Sequence, residues 1–131
     1  MTLGTLATQI GAEALAPPQG KPQAQHSPGI EIDRVHASDL VSDMLRQASP
    51  TTLLVTHLVG PQLLRVAELM DVSGVCFVDG RVPEAEALAR LAAHGVTVLV
   101  SPVDMFETCG RIHAAFPQLS RGEAPSGPVE P

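Results

Sequence analysis

The sequence has no tryptophan or tyrosine, and its aromatic side chains are Phe77, Phe106 and Phe116. The aromatic platforms on which the bases of single-stranded nucleic acids stack are therefore missing. Acidic residues outnumber lysine and arginine by 14 to 8, which gives a net charge of −6. A surplus of negative charge also disfavours duplex nucleic acids and anionic membrane surfaces. We therefore expect no nucleic-acid partner and no membrane partner.

Long apolar runs and metal-ligand spacings are also missing. No stretch of about 18 apolar residues exists that could span a membrane. The N-terminus has no early positive charge, and Gly11 and Glu13 interrupt its apolar stretch, so it does not resemble a secretory signal. Cys76 and Cys109 stand in no CxxC or Cys/His pattern, so we expect reduced, buried thiols and no zinc site. These features predict a cytoplasmic protein without a metal or cofactor.

The common catalytic and phosphate-binding motifs are absent. The sequence contains no G-x-x-x-x-G-K-[ST], G-x-G-x-x-G, G-x-S-x-G or H-E-x-x-H. We therefore expect a protein that is not an enzyme and has no catalytic residues.

Three repeats of one pattern fill the centre of the chain. Apolar runs at 52–56, 75–78 and 96–100 are each followed by a turn and a helix-start signal, with prolines at positions 61, 83 and 102. The runs are short, rich in β-branched residues and not alternating, which is typical of strands buried on both faces. Their regular spacing predicts βαβ units, and therefore an α/β fold with a mostly parallel sheet and flanking helices.

Other segments complete the predicted domain. We expect a helix running into a short strand over 3–15 and a strand over 30–36. We also expect a short helix over 39–47 that is capped by Ser38, and a capping box at 101–104 before the last helix. The single predicted domain covers 1–116 and includes a Pro/Gln-rich loop at 17–29. Residues 117–131 are predicted to be a flexible tail.

The carboxyl ends of the predicted strands carry the candidate ligand site, because open α/β sheets bind ligands at that edge. Helix N-termini there offer backbone N–H groups to an anion, and Arg81 is the nearby cation. The alternative is that the glycines only shape turns, that Arg81 is solvated and that His57 is an ordinary loop residue. The candidate ligand-binding residues are Thr56, His57, Gly60, Asp79, Gly80, Arg81 and Ser101.

Two acidic residues, Asp39 and Asp43, lie four positions apart on the predicted 39–47 helix. On one helical face they could share a proton or bind a metal. They could equally be N-terminal acids that the helix dipole favours and that stay in water. Paired with His57, either acid could also form the centre of a small enzyme.

Several segments resemble those of small stand-alone DRTGG-domain proteins. Residues 37–45 (ASDLVSDML) resemble the signature ASDLMSDVL of that family, and 65–71 (RVAELMD) resemble RTAEMLD. Further similar segments are 52–56 with 60–62, 77–83, and 101–111. The DRTGG string itself is reduced to Asp33-Arg34, and His57 stands where the family has glycine.

The resemblance implies a three-layer α/β domain of the type found at the N-terminus of HPr kinase and inside CBS-domain pyrophosphatases. It implies a regulatory or ligand-sensing role, usually as a homodimer, and some members are encoded beside iron-only hydrogenases. We therefore expect a non-catalytic module that binds a nucleotide or another small anion and acts through a protein partner. The alternatives are a ligand-free assembly module for a redox enzyme such as an iron-only hydrogenase, or a small enzyme that uses His57.

Overall fold

The computed structural model describes residues 1–15 and 30–116, so the predicted loop at 17–29 and the predicted tail at 117–131 lie outside the described residues. The described chain forms five strands and five helices in a repeating order. These elements are α1 (Leu3–Ile10), β1 (Glu13–Ala14), β2 (Arg34–Ala37), α2 (Val41–Gln47), β3 (Thr52–Thr56), α3 (Pro61–Met70), β4 (Gly74–Phe77), α4 (Ala85–Ala93), β5 (Thr97–Val100) and α5 (Met105–Ala115).

The strands form one sheet in the order β1-β5-β4-β3-β2. Strands β2 to β5 are parallel, and β1 is antiparallel to β5, with Glu13 opposite Val100. The prediction of a mostly parallel sheet is confirmed. Because parallel crossovers are right-handed and these four strands follow chain order, α2, α3 and α4 all fall on one face. The other face is covered by α1 and α5, which gives the expected three layers.

The core is divided by the sheet into two apolar clusters. Every residue of β3, β4 and β5 is buried, and successive side chains point to opposite faces. Leu54 and Phe77 pack under α2 to α4, whereas Leu53 and Cys76 pack under α1 and α5. The strands are therefore apolar on both faces, which explains why their sequence runs do not alternate.

The two cysteines differ in burial. Cys76 is fully buried on β4, and Cys109 on α5 is half-buried. Burial, with a smaller effect of the neighbouring Cys109, raises the pKa of the Cys76 thiol to about 12. Burial also raises the pKa of the Cys109 thiol. Both thiols are therefore protonated at neutral pH, and neither has the thiolate character of a reactive cysteine.

The strand predicted over 30–36 is shorter than expected. It begins at Arg34; Asp33 still bonds to Thr51 at 3.2 Å, but residues 30–32 pair with the N-terminus of the chain instead of with β3. Leu3 donates its backbone N–H to the Ile30 carbonyl at 2.9 Å, and Ile32 donates to the Met1 carbonyl at 3.1 Å. This pairing positions α1 over its face of the sheet.

The helix predicted over 39–47 begins later, at Val41, with Leu40 as its N-cap residue. Ser38 does not cap this helix; its Oγ accepts a hydrogen bond from the Leu40 N–H at 2.8 Å. Asp39 therefore lies before α2, and Asp43 pairs with Arg46 on the helix at 2.8 Å. The prediction that Asp39 and Asp43 share one helical face is wrong, because Asp39 bonds to residues at the end of β3.

The capping box predicted at 101–104 is also wrong. Asp104 is itself the N-cap of α5, and its Oδ1 accepts a hydrogen bond from the Glu107 N–H at 2.9 Å. The Ser101 hydroxyl instead bonds to the buried Thr108 hydroxyl at 2.7 Å, which ties the end of β5 to α5. Similarly, α4 begins at Ala85 rather than at the proline at position 83.

Candidate functional site

Three loops meet at the carboxyl edge of the sheet, because β2, β3 and β4 are parallel neighbours. Asp39 follows β2, His57 follows β3 and Asp79 follows β4. The His57 ring lies between the two carboxylates: Nδ1 is 2.8 Å from Asp39 Oδ2, and Nε2 is 3.0 Å from Asp79 Oδ2. We call this pair of contacts the His57 bridge. It links the three loops through one side chain.

Asp39 is the most firmly held member of the bridge. Its Oδ1 accepts hydrogen bonds from the Thr56 hydroxyl and from the His57 backbone N–H, both at 2.8 Å. Partial burial alone raises the pKa of Asp39, but these bonds and the His57 ring outweigh it and lower the pKa below its ordinary value. The carboxylate is therefore ionised and fixed in position at neutral pH.

The two carboxylates favour the protonated form of His57. The hydrogen bond to Asp39 is the largest cause of a raised His57 pKa; partial burial opposes it, and the charge of Asp39 and the contact with Asp79 add to it. A histidine ring can donate from both nitrogens only when it is protonated. The geometry therefore describes an imidazolium that donates to two carboxylates.

Asp79 belongs to a tight turn with Gly80. Both residues have left-handed backbone conformations, with φ of 61° and 67°. The turn is held to the loop after β5, because Asp79 N–H donates to the Val103 carbonyl and Gly80 N–H to the Ser101 carbonyl, each at 2.8 Å. Glycine suits position 80, since residues other than Gly, Asn and Asp rarely adopt a left-handed backbone conformation.

The structure brings some of the predicted ligand-binding residues together and separates others. Thr56, His57 and Asp79 belong to one hydrogen-bonded network, and the backbone of Gly80 bonds to that of Ser101. Arg81 follows the turn with an exposed side chain, and Gly60 lies at the N-terminus of α3.

Asp39 was absent from the predicted ligand-binding set, although the enzyme alternative paired it with His57. The signal that places it at the edge is its position within two residues of the end of a strand, which it shares with His57 and Asp79.

Gly60 lines a separate cleft of about 380 Å³ between α3 and α4. Gly60 is the N-cap of α3 and offers no side-chain cap, and a Cβ added there would meet nothing within 4 Å. At the far side, Arg90 is held by Glu68 through contacts of 2.9 Å. The cleft is lined by Val59, Gly60, Pro61, Leu64, Val82, Glu84, Glu86, Ala87 and Arg90.

The location of this cleft follows from the strand order. A crevice forms at the carboxyl edge of an open sheet where the strand order reverses and helices leave on opposite faces. Within residues 30–100 of the described chain, the order runs from β2 to β5 without a reversal, so no crevice of that kind opens. The space lies instead between neighbouring helices on one face.

No group of three or more histidine, cysteine and acidic side chains within 1–15 and 30–116 is placed to hold a metal ion. None of the helices in these ranges is long and apolar enough to cross a membrane.

No protein-family model matches the sequence, and no curated protein matches it either. The fold is similar to the crystal structure of the CBS and DRTGG domains from the regulatory region of a Clostridium perfringens pyrophosphatase, complexed with its activator diadenosine tetraphosphate. The TM-score is 0.65 at 16% identity, and the match covers 85% of this chain and 45% of that one. This chain therefore spans less than half of the structure it matches. The likeness shows a DRTGG-like α/β fold.

Proposed function

We propose that this chain is a non-catalytic regulatory module that binds a nucleotide or a similar small anion in the cleft between α3 and α4. The observation that carries the proposal is a cleft of about 380 Å³ at the N-terminus of α3. This volume falls in the range of small-molecule sites, roughly 300–1,000 Å³. The fold supports a regulatory role, since the similar structure is a regulatory region with a bound nucleotide activator.

The lining of the cleft matches the parts of a nucleotide. The backbone at Gly60 and Pro61 forms the positive end of α3, which favours a phosphate group. The apolar side chains of Val59, Leu64 and Val82 offer a surface for a base. The carboxylates of Glu84 and Glu86 accept hydrogen bonds from ribose hydroxyls or an amino group. Because these carboxylates also repel extra phosphates, we expect AMP to bind more tightly than ATP.

Calorimetry and thermal shift with AMP, ADP, ATP, diadenosine tetraphosphate and inorganic phosphate test the proposal. Gly60→Val fills the cleft without a clash, because a Cβ there meets nothing within 4 Å, and without backbone strain, because Gly60 is extended with φ of −95°. It should weaken AMP binding at least tenfold, a loss of about 1.4 kcal/mol. Gly110→Val is the matched control, since a Cβ at Gly110 on α5 also meets nothing within 4 Å.

A second variant locates the ligand. If it lies in the cleft, Arg81→Ala leaves the affinity within about twofold, because Arg81 is not among the lining residues. A tenfold loss with Arg81→Ala would place the ligand at the carboxyl edge, between His57 and the Gly80 turn. The absence of heat and of a thermal shift with every compound would contradict ligand sensing and favour the ligand-free assembly module.

The enzyme alternative has less support. His57 is paired with Asp39, as a general base needs, but its second ring nitrogen contacts Asp79 at 3.0 Å. A ring that donates from both nitrogens has no lone pair with which to accept a proton. Asp43, the other acid considered, pairs with Arg46 instead.

We also propose that the chain is a stand-alone DRTGG-domain protein that acts as a homodimer and signals through a protein partner. The sequence segments described above and the DRTGG-like fold support the family assignment.

Exposed apolar side chains support association, namely Leu40 before α2, Leu45 on α2 and Leu69 on α3. A redox enzyme remains the alternative partner, and the cytoplasmic location remains a prediction. Sedimentation that shows a monomer at tens of micromolar, a concentration that detects micromolar association, would contradict the homodimer.

A further inference from the structure

The His57 bridge is more extensively bonded than an isolated surface ion pair. Three separate loops contribute to it, and the ring donates in opposite directions to Asp39 and Asp79, at 2.8 and 3.0 Å. We propose that the bridge is a proton-operated switch: loss of the His57 proton breaks the contact with Asp79 and frees the Asp79-Gly80 turn. This inference goes beyond the proposed ligand sensing and does not depend on it.

A neutral His57 ring cannot donate to both carboxylates. A neutral imidazole donates from one nitrogen, and the other nitrogen presents a lone pair. In the bridge that lone pair faces a carboxylate oxygen, which is also negative, so one of the two contacts becomes repulsive. Deprotonation therefore cannot leave the bridge intact.

The contact with Asp79 is the weaker of the two. Asp39 is fixed by hydrogen bonds from the Thr56 hydroxyl and the His57 backbone N–H, in addition to the ring. The Asp79 side chain is 46% exposed, and its ion pair is with His57. The remaining proton therefore stays on Nδ1 toward Asp39, and the Nε2 contact with Asp79 breaks.

Loss of the contact with Asp79 acts on the Asp79-Gly80 turn. Asp79 has a left-handed backbone, a conformation that costs energy for a residue other than glycine unless its surroundings hold it. The bridge is one such restraint; the backbone bonds to Val103 and Ser101, and the bond from the Arg81 N–H to the Val78 carbonyl at 3.1 Å, are others. When the bridge opens, Asp79 and Asp39 also keep two negative charges that the imidazolium no longer compensates. The turn then has one restraint fewer, and the Asp79 carboxylate is repelled by that of Asp39.

The charged groups that face the ring are few. Within the described ranges, Asp39 from the loop after β2 and Asp79 from the turn after β4 are the charged residues that act on the His57 pKa. Thr56, the last residue of β3, reaches the ring only through Asp39. The two carboxylates whose loops it joins thus raise the pKa of His57, and partial burial opposes them.

NMR titration of the full chain between about pH 5 and 9 tests the switch. The ring of His57 should titrate with a midpoint above 6.5, the ordinary value for histidine. The backbone amide signals of Asp79 and Gly80 should move with the same midpoint. Amides of the turn that stay unchanged while His57 titrates would overturn the proposal, as would a His57 midpoint at or below 6.5.

Two variants separate the switch from a general effect of pH. Asp79→Asn keeps a residue that tolerates the left-handed backbone and removes the charge. It should lower the His57 midpoint and abolish the coupled movement of the Gly80 amide; coupling that persists would contradict the proposal. His94→Gln is the control, since this exposed histidine lies at the end of α4 beside Glu68, and the coupled titration at Gly80 should remain. Loss of the coupling in His94→Gln would also count against the switch.

Discussion

The interior of the sheet and its carboxyl edge are stabilised in different ways. Strands β3, β4 and β5 are buried along their whole lengths. At the edge, the side chains of His57, Asp39 and Asp79 are 31%, 43% and 46% exposed. Burial stabilises each large apolar side chain by about 1.5–3 kcal/mol, whereas exposed ion pairs contribute about 0–1 kcal/mol. The interior therefore supplies the stability of the fold, and the edge can change its protonation without unfolding the protein.

The largest effect should come from truncating the interior. Phe77 on β4 is fully buried, whereas Phe106 on α5 is 85% exposed. Phe77→Ala should lower the free energy of unfolding by about 3–5 kcal/mol, because it removes contacts and leaves a cavity. Phe106→Ala is the same chemical change at the surface and should stay within about 0.5 kcal/mol. Urea unfolding measures both, and similar losses would contradict the burial described for these two positions.

A smaller effect is expected at the glycines near the edge. Gly80 has φ of 67°, whereas Gly60 has an ordinary extended backbone with φ of −95°. Gly80→Ala should destabilise the protein by roughly 1–2 kcal/mol through left-handed strain. Gly60→Ala meets no atom within 4 Å and should be nearly neutral. If thermal unfolding shows equal shifts for the two variants, the conformation assigned to the turn is wrong.

The smallest effect is the pH dependence of stability that the His57 bridge supplies. Because the folded-state pKa of His57 is raised, its contribution is complete below about pH 6.5 and is lost as the pH rises through the folded value. Its size should be at most about 1 kcal/mol, since the side chains are partly exposed.

The titration of His36 has the opposite effect on the pH dependence of stability. Burial lowers its pKa, so protonation of His36 destabilises the fold as the pH falls below about 6.5. The informative quantity is therefore the difference in unfolding free energy between wild type and Asp79→Asn, measured at about pH 5.5 and 9. That difference should shrink at the higher pH, and a difference that is constant with pH would argue against the bridge.

The interior of the sheet was easier to predict from the sequence than its carboxyl edge. The bounds of the interior strands were predicted within one or two residues. An apolar run flanked by turn residues is a signal that lies entirely in the local sequence. The parallel arrangement followed from their regular spacing. The edge was predicted less completely: His57 and Asp79 were placed there, but Asp39 was assigned to a helix.

The reason for that error is physical. Ser38 followed by acidic residues and an apolar pattern is typical of a helix start, and propensity alone places Asp39 in the first turn. In the folded chain, Asp39 gains hydrogen bonds from Thr56 and the His57 backbone, which lie in a different strand and loop. Such long-range contacts override the local preference. The α3–α4 cleft was not predicted for the same reason, since it depends on the separation of two helices.

The pairing of β1 with β5 has a consequence for the order in which the chain folds. The elements from β2 to β5 contact neighbours close in sequence, so they can form progressively. In contrast, Glu13 must find Val100, and α1 must meet α5, across most of the chain. The entropic cost of closing so long a loop precedes the contacts that compensate for it, so we expect this step to be slow. We therefore expect α1 and β1 to join the layer over Leu53 and Cys76 last, and their transient opening to expose that apolar face before the rest of the sheet unfolds.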